Sequence, residues 1–307
     1  MSPGPELAGG QASPDSHLQL APRKPRGETA FVQSAALHIP ADGRLTRWVF
    51  LRGLGLVWLA AFLSLWSQIM GLLGTEGVAR AAQRLGDIGH FWETGAEGFP
   101  WWRLPTLSWW WGAGDGALDW MCGAGTALSV LLIAGVAPAA MLAGLFALYL
   151  SLVHLSAGFL AYQWDALLLE VTFVAMFHAP LCLVDRLASP TPPARWTTLL
   201  LRLVLFKVMF MSGGAKLASG DAVWRDLTAL DYHFWTQPLP HVLSWFTAQL
   251  PGWALQGACA VMLAIELVLP FGLLLSNPRA RLVAALGTAA LMLAIGLTGN
   301  YGFFNLT

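Results

Sequence analysis

The chain has 307 residues, of which 56% are hydrophobic and 11% charged, and its mean hydropathy is +0.59; soluble domains carry about 25% charged residues, so a water-soluble enzyme is excluded as the starting picture. Seventeen basic side chains are balanced by seventeen acidic ones, which leaves no cationic excess to neutralise phosphates and excludes nucleic-acid binding. Sixteen Trp against four Tyr suit a bilayer boundary, where an indole buries its ring and keeps its N–H wet.

In chain order, residues 1–46 are rich in Pro, Gly and Ser, carry Arg23, Lys24 and Arg26, and hold no apolar run long enough for a signal-peptide core. Their composition predicts a disordered cytosolic tail. Residues 47–307 read as one multi-span membrane domain, because about 20 apolar residues cross a ~30 Å hydrocarbon core as a helix. Predicted spans are Trp48 to Leu73, Leu118 to Val136, Ala139 to Leu160, Ala166 to Val184, Thr197 to Ala215, Trp253 to Leu275 and Leu282 to Thr298. Unpaired backbone groups are not tolerated in lipid, so these runs are expected to be helical. The expectation is an all-α, polytopic transmembrane helix bundle of about seven spans, an integral multi-pass protein in contact with membrane lipid.

Orientation follows from the basic residues. With the N-terminus cytosolic, the inner side holds Arg23, Lys24, Arg26, Arg44, Arg47, Arg52, Arg186, Arg195, Arg202, Arg279 and Arg281, whereas the outer side holds Arg80, Arg84, Arg103, Lys216 and Arg225. The positive-inside rule favours that arrangement. Two outer loops result, at about 74–117 and 213–251. The first gathers Trp92, Trp101, Trp102, Trp109, Trp110 and Trp111, which most simply lie at the membrane surface and could also meet a partner. Cys122, Cys182 and Cys259 fall in separate apolar runs and read as small core residues, not as a disulfide framework or a metal site.

Ionisable groups within spans are costly and face a bundle interior, a cavity or a partner. The intramembrane polar set is Asp165, Glu170, Lys207 and Glu266, with Arg202, His154 and His178 beside it. Lys207 and Glu266 sit at similar depths along their helices, which predicts an ion pair between the fifth and sixth spans. Gly213 and Gly214 are placed to end the fifth helix in a left-handed cap. Beyond them, Lys216, Asp221 and His233 are the candidates for acid–base chemistry, although no spacing there fixes a nucleophile–base pair. No phosphate loop, dinucleotide glycine pattern, HExxH or GxSxG is found, so no cofactor or metal is expected and an enzyme is not favoured. Asn305-Leu306-Thr307 is formally a glycosylation sequon.

Several blocks, in order, resemble a known family. They include Thr46-Arg47-Trp48-Val49-Phe50-Leu51-Arg52-Gly53-Leu54-Gly55, Leu104-Pro105-Thr106-Leu107 and Gln163-Trp164-Asp165-Ala166-Leu167-Leu168-Leu169-Glu170. Met209 to Asp221, with Ser212-Gly213-Gly214-Ala215-Lys216 at its centre, follows. The run Trp224 to Pro240 contains Trp224, Asp226, His233, Gln237 and Pro238, and the last block is Thr298 to Thr307, with Asn300. Together they are similar to the membrane part of the lipase maturation factor family.

That resemblance implies a multi-span protein with a cytosolic N-terminus that assists folding and assembly of secreted lipases, in a chaperone-like role. It also implies a lumenal soluble region beyond the last block, which a chain ending at Thr307 would lack. Family members act in the endoplasmic reticulum membrane. The composition here suggests a bacterial member in the inner membrane, with a secreted lipase as possible client. The alternatives are a membrane enzyme acting on a lipid-like substrate, through the family's proposed likeness to the gamma-carboxylase membrane domain, and a transporter lined by Glu170, Lys207 and Glu266.

Overall fold

The computed structural model describes residues 43–94, 103–187, 192–237, 241–299 and 301. Almost all of the predicted tail, together with Trp101, Trp102, Pro238, Asn300 and the sequon, lies outside the described residues. The first long helix, α1 (Arg44–Trp66), starts after Gly43, whose φ of 78° is left-handed, and stops at Ser67. Gln68, at φ −129°, interrupts the predicted Trp48 to Leu73 span, and α2 (Ile69–Leu73) follows.

The 74–117 segment contains α3 (Ala81–Thr94) and α4 (Ser108–Trp111). Next come α5 (Asp115–Ala134), α6 (Pro138–Leu155), α7 (Gln163–His178) and α8 (Arg195–Ala218). Three short helices, α9 (Ala222–Arg225), α10 (Ala229–Thr236) and α11 (Val242–Thr247), precede α12 (Gly252–Leu267), α13 (Leu269–Leu274) and α14 (Pro278–Thr298).

Among the described residues, six stretches are long and apolar enough to cross a membrane: α1, α5, α6, α8, the α12–α13 pair and α14. The predicted Ala166 to Val184 span is α7, which has only 16 residues. Pro180 sets its end, because a proline disfavours helical backbone in the residue before it, and Ala179 turns to ψ 146°. A segment of bends then carries the chain to the α5–α6 turn, where Ala137 N–H donates to the Leu183 carbonyl at 2.9 Å and Asp185 N–H to the Gly135 carbonyl at 2.8 Å. The end of α7 thus lies beside the start of α6, and the two helices pack antiparallel.

The larger core joins α1, α5, α6 and α7. Leu51, Leu54, Trp58, Ala61, Phe62 and Leu65 recur at helical spacing on the buried side of α1, while Val49, Leu56 and Leu63 are exposed. Apolar residues all round are expected where the exposed side meets lipid. Trp58, Phe62 and Tyr149 pack with ring centroids 5.0–5.6 Å apart. Gly125 permits this approach, since a Cβ there would stand 2.2 Å from the Phe62 ring. Polar ties complete the core: Trp58 Nε1 donates to Thr172 Oγ1 at 3.0 Å, and Tyr149 Oη to Asp165 Oδ1 at 2.5 Å.

A second, smaller core forms where Ala229 of α10 meets Cys259 and Leu263 of α12. All three cysteines are free, and Cys122 and Cys259 are buried.

Candidate functional site

The last turns of α8 and the break between α12 and α13 build the site. Pro270 has no N–H to give the carbonyl of Glu266 four residues earlier, so α12 stops at Leu267 and the helix resets through Val268 at φ −105°. This places Glu266, 3% exposed, beside a helix break inside an apolar span. On the other side α8 runs straight through Gly213 and Gly214 to Ala218. The expected left-handed cap at these glycines is therefore absent. A Cβ on Gly213 would lie 2.8 Å from Leu267 Cγ and 3.0 Å from Glu266 Cβ, so this glycine serves close helix contact rather than termination.

Lys216 reaches from the last turn of α8 to Glu266, with Nζ 2.6 Å from Oε1 and 2.7 Å from Oε2. It also donates to Ser212 Oγ at 2.8 Å, and Ser212 in turn donates to Glu266 Oε1 at 3.2 Å. The expected Lys207–Glu266 pair does not form. Lys207 pairs instead with Glu170 of α7, and both side chains are well exposed. Depth along a helix is not enough to pair two residues: Lys207 lies six positions before Gly213, roughly 120° away around α8, whereas Lys216 returns to the Gly213 side. An ammonium has three protons, and those of Lys216 have three acceptors, two on Glu266 and one on Ser212.

Around this tie lies a cavity of about 370 Å³, lined by Lys216, Glu266, Trp224, His233 and Tyr301 among apolar residues from α10, α12 and α14. Lys216 Nζ stands 5.6 Å from the Trp224 ring centroid. His233 Nε2 is 3.1 Å from Tyr301 Oη, and the two rings are nearly parallel at 5°. Burial, with the charge of Lys216 second, holds the His233 pKa below its ordinary 6.5, and burial pushes the Tyr301 hydroxyl up. Gln237 Nε2 donates to the Thr298 carbonyl at 2.9 Å, fastening the end of α10 to the end of α14.

Of the proposed acid–base group, Lys216 and His233 share the cavity, but Asp221 does not line it. Asp221 is the N-cap of α9, its Oδ1 accepting from Val223 N–H at 3.1 Å. Asp226 ends the same helix, with its N–H on the Ala222 carbonyl at 2.8 Å. Asp165 and Glu170 lie on α7, outside this site. Sequence reasoning gave no role to Ser212 or Tyr301. It also missed the pairing of Arg52 with Asp185, where Arg52 Nη2 donates to the Asp185 carbonyl at 2.7 Å. Asp185 is 4% exposed, and the only available signal was an acid just past a span and an arginine just inside one.

Residues 45–307 match the lipase maturation factor transmembrane domain. The chain belongs to the lipase maturation factor family. It is 38% identical over 274 residues to lipase maturation factor 2 of Gallus gallus, covering 85% of this chain and 37% of the relative. With lipase maturation factor 2 of Homo sapiens it shares 37% identity over 279 residues, 87% of this chain and 39% of the relative. Against lipase maturation factor 1 of Homo sapiens the identity is 30% over 302 residues, 96% of this chain and 52% of the relative. The chain thus spans between about a third and about half of these relatives' lengths. No solved structure matches it. Within the family blocks, Lys216, Trp224, His233, Gln237 and Tyr301 converge on one site although they come from different segments of the chain.

Proposed function

We propose that this chain is the membrane-embedded part of a maturation factor that assists folding of secreted lipases or other exported proteins, chaperone-like and not catalytic. The observation that carries this reading is the segment between α8 and α12. Helix α10 is anchored inward by Ala229, His233 and Gln237 and α11 by the buried Ser244, yet they expose Tyr232, Trp235, Trp245 and Phe246, each 58–59% accessible. Large aromatics held on short, anchored helices are a surface suited to partly folded chains, because aromatic anchors contribute much contact area at small entropic cost. Trp110 and Trp111 of the 74–117 segment are also exposed.

This surface faces the compartment in which exported proteins fold: the periplasm if the host is bacterial, the endoplasmic reticulum lumen if it is eukaryotic. The closed network of Lys216, Glu266 and Ser212 speaks against the membrane-enzyme alternative, since it commits every proton of the lysine to a structural partner. The exposed Lys207–Glu170 pair and the buried Lys216–Glu266 pair lie on different sides of α8, which speaks against one transport path through both. Deleting the gene should lower secreted lipase activity while lipase synthesis is unchanged. Unaltered activity per lipase molecule in the deletion strain would sink the proposal.

A further inference from the structure

Lys207 and Glu170 meet each other's charge in a place that suits neither. Lys207 lies twelve residues after Arg195, about 18 Å along α8, and so about half-way across a ~30 Å hydrocarbon core. Glu170 stands at the same level, in the middle of α7. Yet 46% of the lysine side chain and 38% of the glutamate side chain are exposed. A charge at that depth is costly unless a cavity, a bundle interior or a partner receives it.

The surroundings decide among these. On α8, Trp196, Leu200, Leu203, Lys207 and Phe210 recur at alternating steps of four and three, and all five are exposed. On α7, Ala166, Glu170, Phe173 and Phe177 follow the same alternation, with both phenylalanines exposed. The two rows lie side by side, joined by the ion pair and by Phe177 against Trp196, whose ring centroids are 6.2 Å apart. A mean step of 3.5 residues is the one with which a helix follows a neighbour over several turns. Every other position in the two rows is Ala, Leu, Phe or Trp, so no wetted path leads to the pair, and a lipid headgroup does not reach this depth. A protein surface is left to cover it.

We propose that this face of α7 and α8 is an interface between two copies of this chain. Both copies enter the bilayer the same way up, so a two-fold axis between them runs along the membrane normal. That rotation exchanges left and right and preserves depth. It sets Lys207 of one copy against Glu170 of the second, and Glu170 against Lys207, closing a ring of four alternating charges, and it brings Leu203 to the level of Phe173 across the axis. Opposite charges side by side at one depth are self-complementary under this rotation, whereas a face of one sign would repel its own copy.

The test uses the full chain in phosphatidylcholine liposomes, as copies carrying a donor or an acceptor fluorophore at the N-terminus, and reads energy transfer as lipid dilutes the protein. Wild-type copies should pair. Lys207→Glu alone gathers four acids across the axis and Glu170→Lys alone four bases, so each should need at least about tenfold more protein per lipid to pair with itself. Mixed together, the two variants should pair as the wild type does, because every contact across the axis is again opposite in sign although neither chain keeps an internal pair. That rescue separates an interface from a purely internal tie. Leu203→Trp retains both charges and wedges the rows apart, so it should weaken pairing, whereas Leu286→Trp, on an exposed side of α14, should not; this comparison keeps the proposal falsifiable if the charge variants do not fold. Wild-type copies that stay monomeric at every dilution, leaving the face to lipid or to a different membrane protein, would overturn the proposal. So would charge variants that pair with themselves as strongly as the wild type, a mixture that pairs no better than its components, or Leu203→Trp indistinguishable from Leu286→Trp.

Discussion

Glu266 is 3% exposed and its charge is met by Lys216, so the two must be removed together or not at all. Taking away one partner of a buried pair costs about 3–5 kcal/mol, while replacing both with apolar residues of similar size is often neutral. Lys216→Met alone should therefore lower the melting temperature sharply, and Lys216→Met combined with Glu266→Leu should recover most of the loss. A double variant no more stable than the single one would show that the pair is not what holds α8 to α12. His233 adds a pH dependence to the same site. Its folded pKa is depressed by burial first and by Lys216 second, so the unfolded chain binds more protons just below the ordinary value of 6.5. The resulting stability is complete above that value and is lost as pH falls below it. Wild-type melting temperature should drop between about pH 7 and about pH 5 by more than that of His233→Gln.

At the scale of helices, Gly213 and Gly214 are neighbours in sequence with opposite roles. A Cβ on Gly213 would meet Leu267 and Glu266 within 3.0 Å, whereas one on Gly214 has nothing within 4 Å. Gly213→Leu should overpack the α8–α12 contact at a cost of about 1–3 kcal/mol. Gly214→Ala should stabilise the helix by about 0.5–1 kcal/mol, through propensity alone. Thermal unfolding of the two variants in detergent checks the contrast, and equal effects would refute it. This pair also marks where sequence reading stops. Apolar run length located six helices long and apolar enough to cross, because bilayer thickness acts on local composition, and overcounted at α7, whose 16 residues fall short of that length. It could not distinguish a glycine that caps from one that packs, since that depends on the facing helix. For the same reason it found Lys207 and Glu266 but exchanged their partners. Residue depth is written in one helix, whereas the facing side is written in two. The convergence of Ser212, His233 and Tyr301 needed α10 and α14 folded against α8, contacts that no local pattern encodes.

For the whole molecule, antiparallel contacts sort the connecting segments into two sets. Arg52 with Asp185, His178 with Thr197 (2.8 Å) and Ala137 with Leu183 gather the start of α1, the α5–α6 turn, the end of α7 and the start of α8 at one end. Trp66 with Asp119 (2.7 Å) and Leu107 with Ser151 (2.9 Å) place the 67–114 segment at the other, and Gln237 with Thr298 joins the 219–251 segment to the end of α14. The first end has Arg44, Arg47, Arg52, Arg186 and Arg195, with Arg279 and Arg281 opening α14 beside Arg202. The second has longer segments and fewer cations, so the charge asymmetry predicts that the first end is cytosolic. In a Cys182→Ser background, with Cys122 and Cys259 buried, Gln83→Cys should react with a membrane-impermeant maleimide in sealed, right-side-out membranes. Ser276→Cys, between α13 and α14, should react only after permeabilisation. The reverse pattern would invert the orientation and turn the exposed aromatics of α10 and α11 towards the cytosol, where no secreted client folds. Labelling of both sites without permeabilisation would instead mean that one of the five traverses between them, α5, α6, α7, α8 or α12–α13, does not cross.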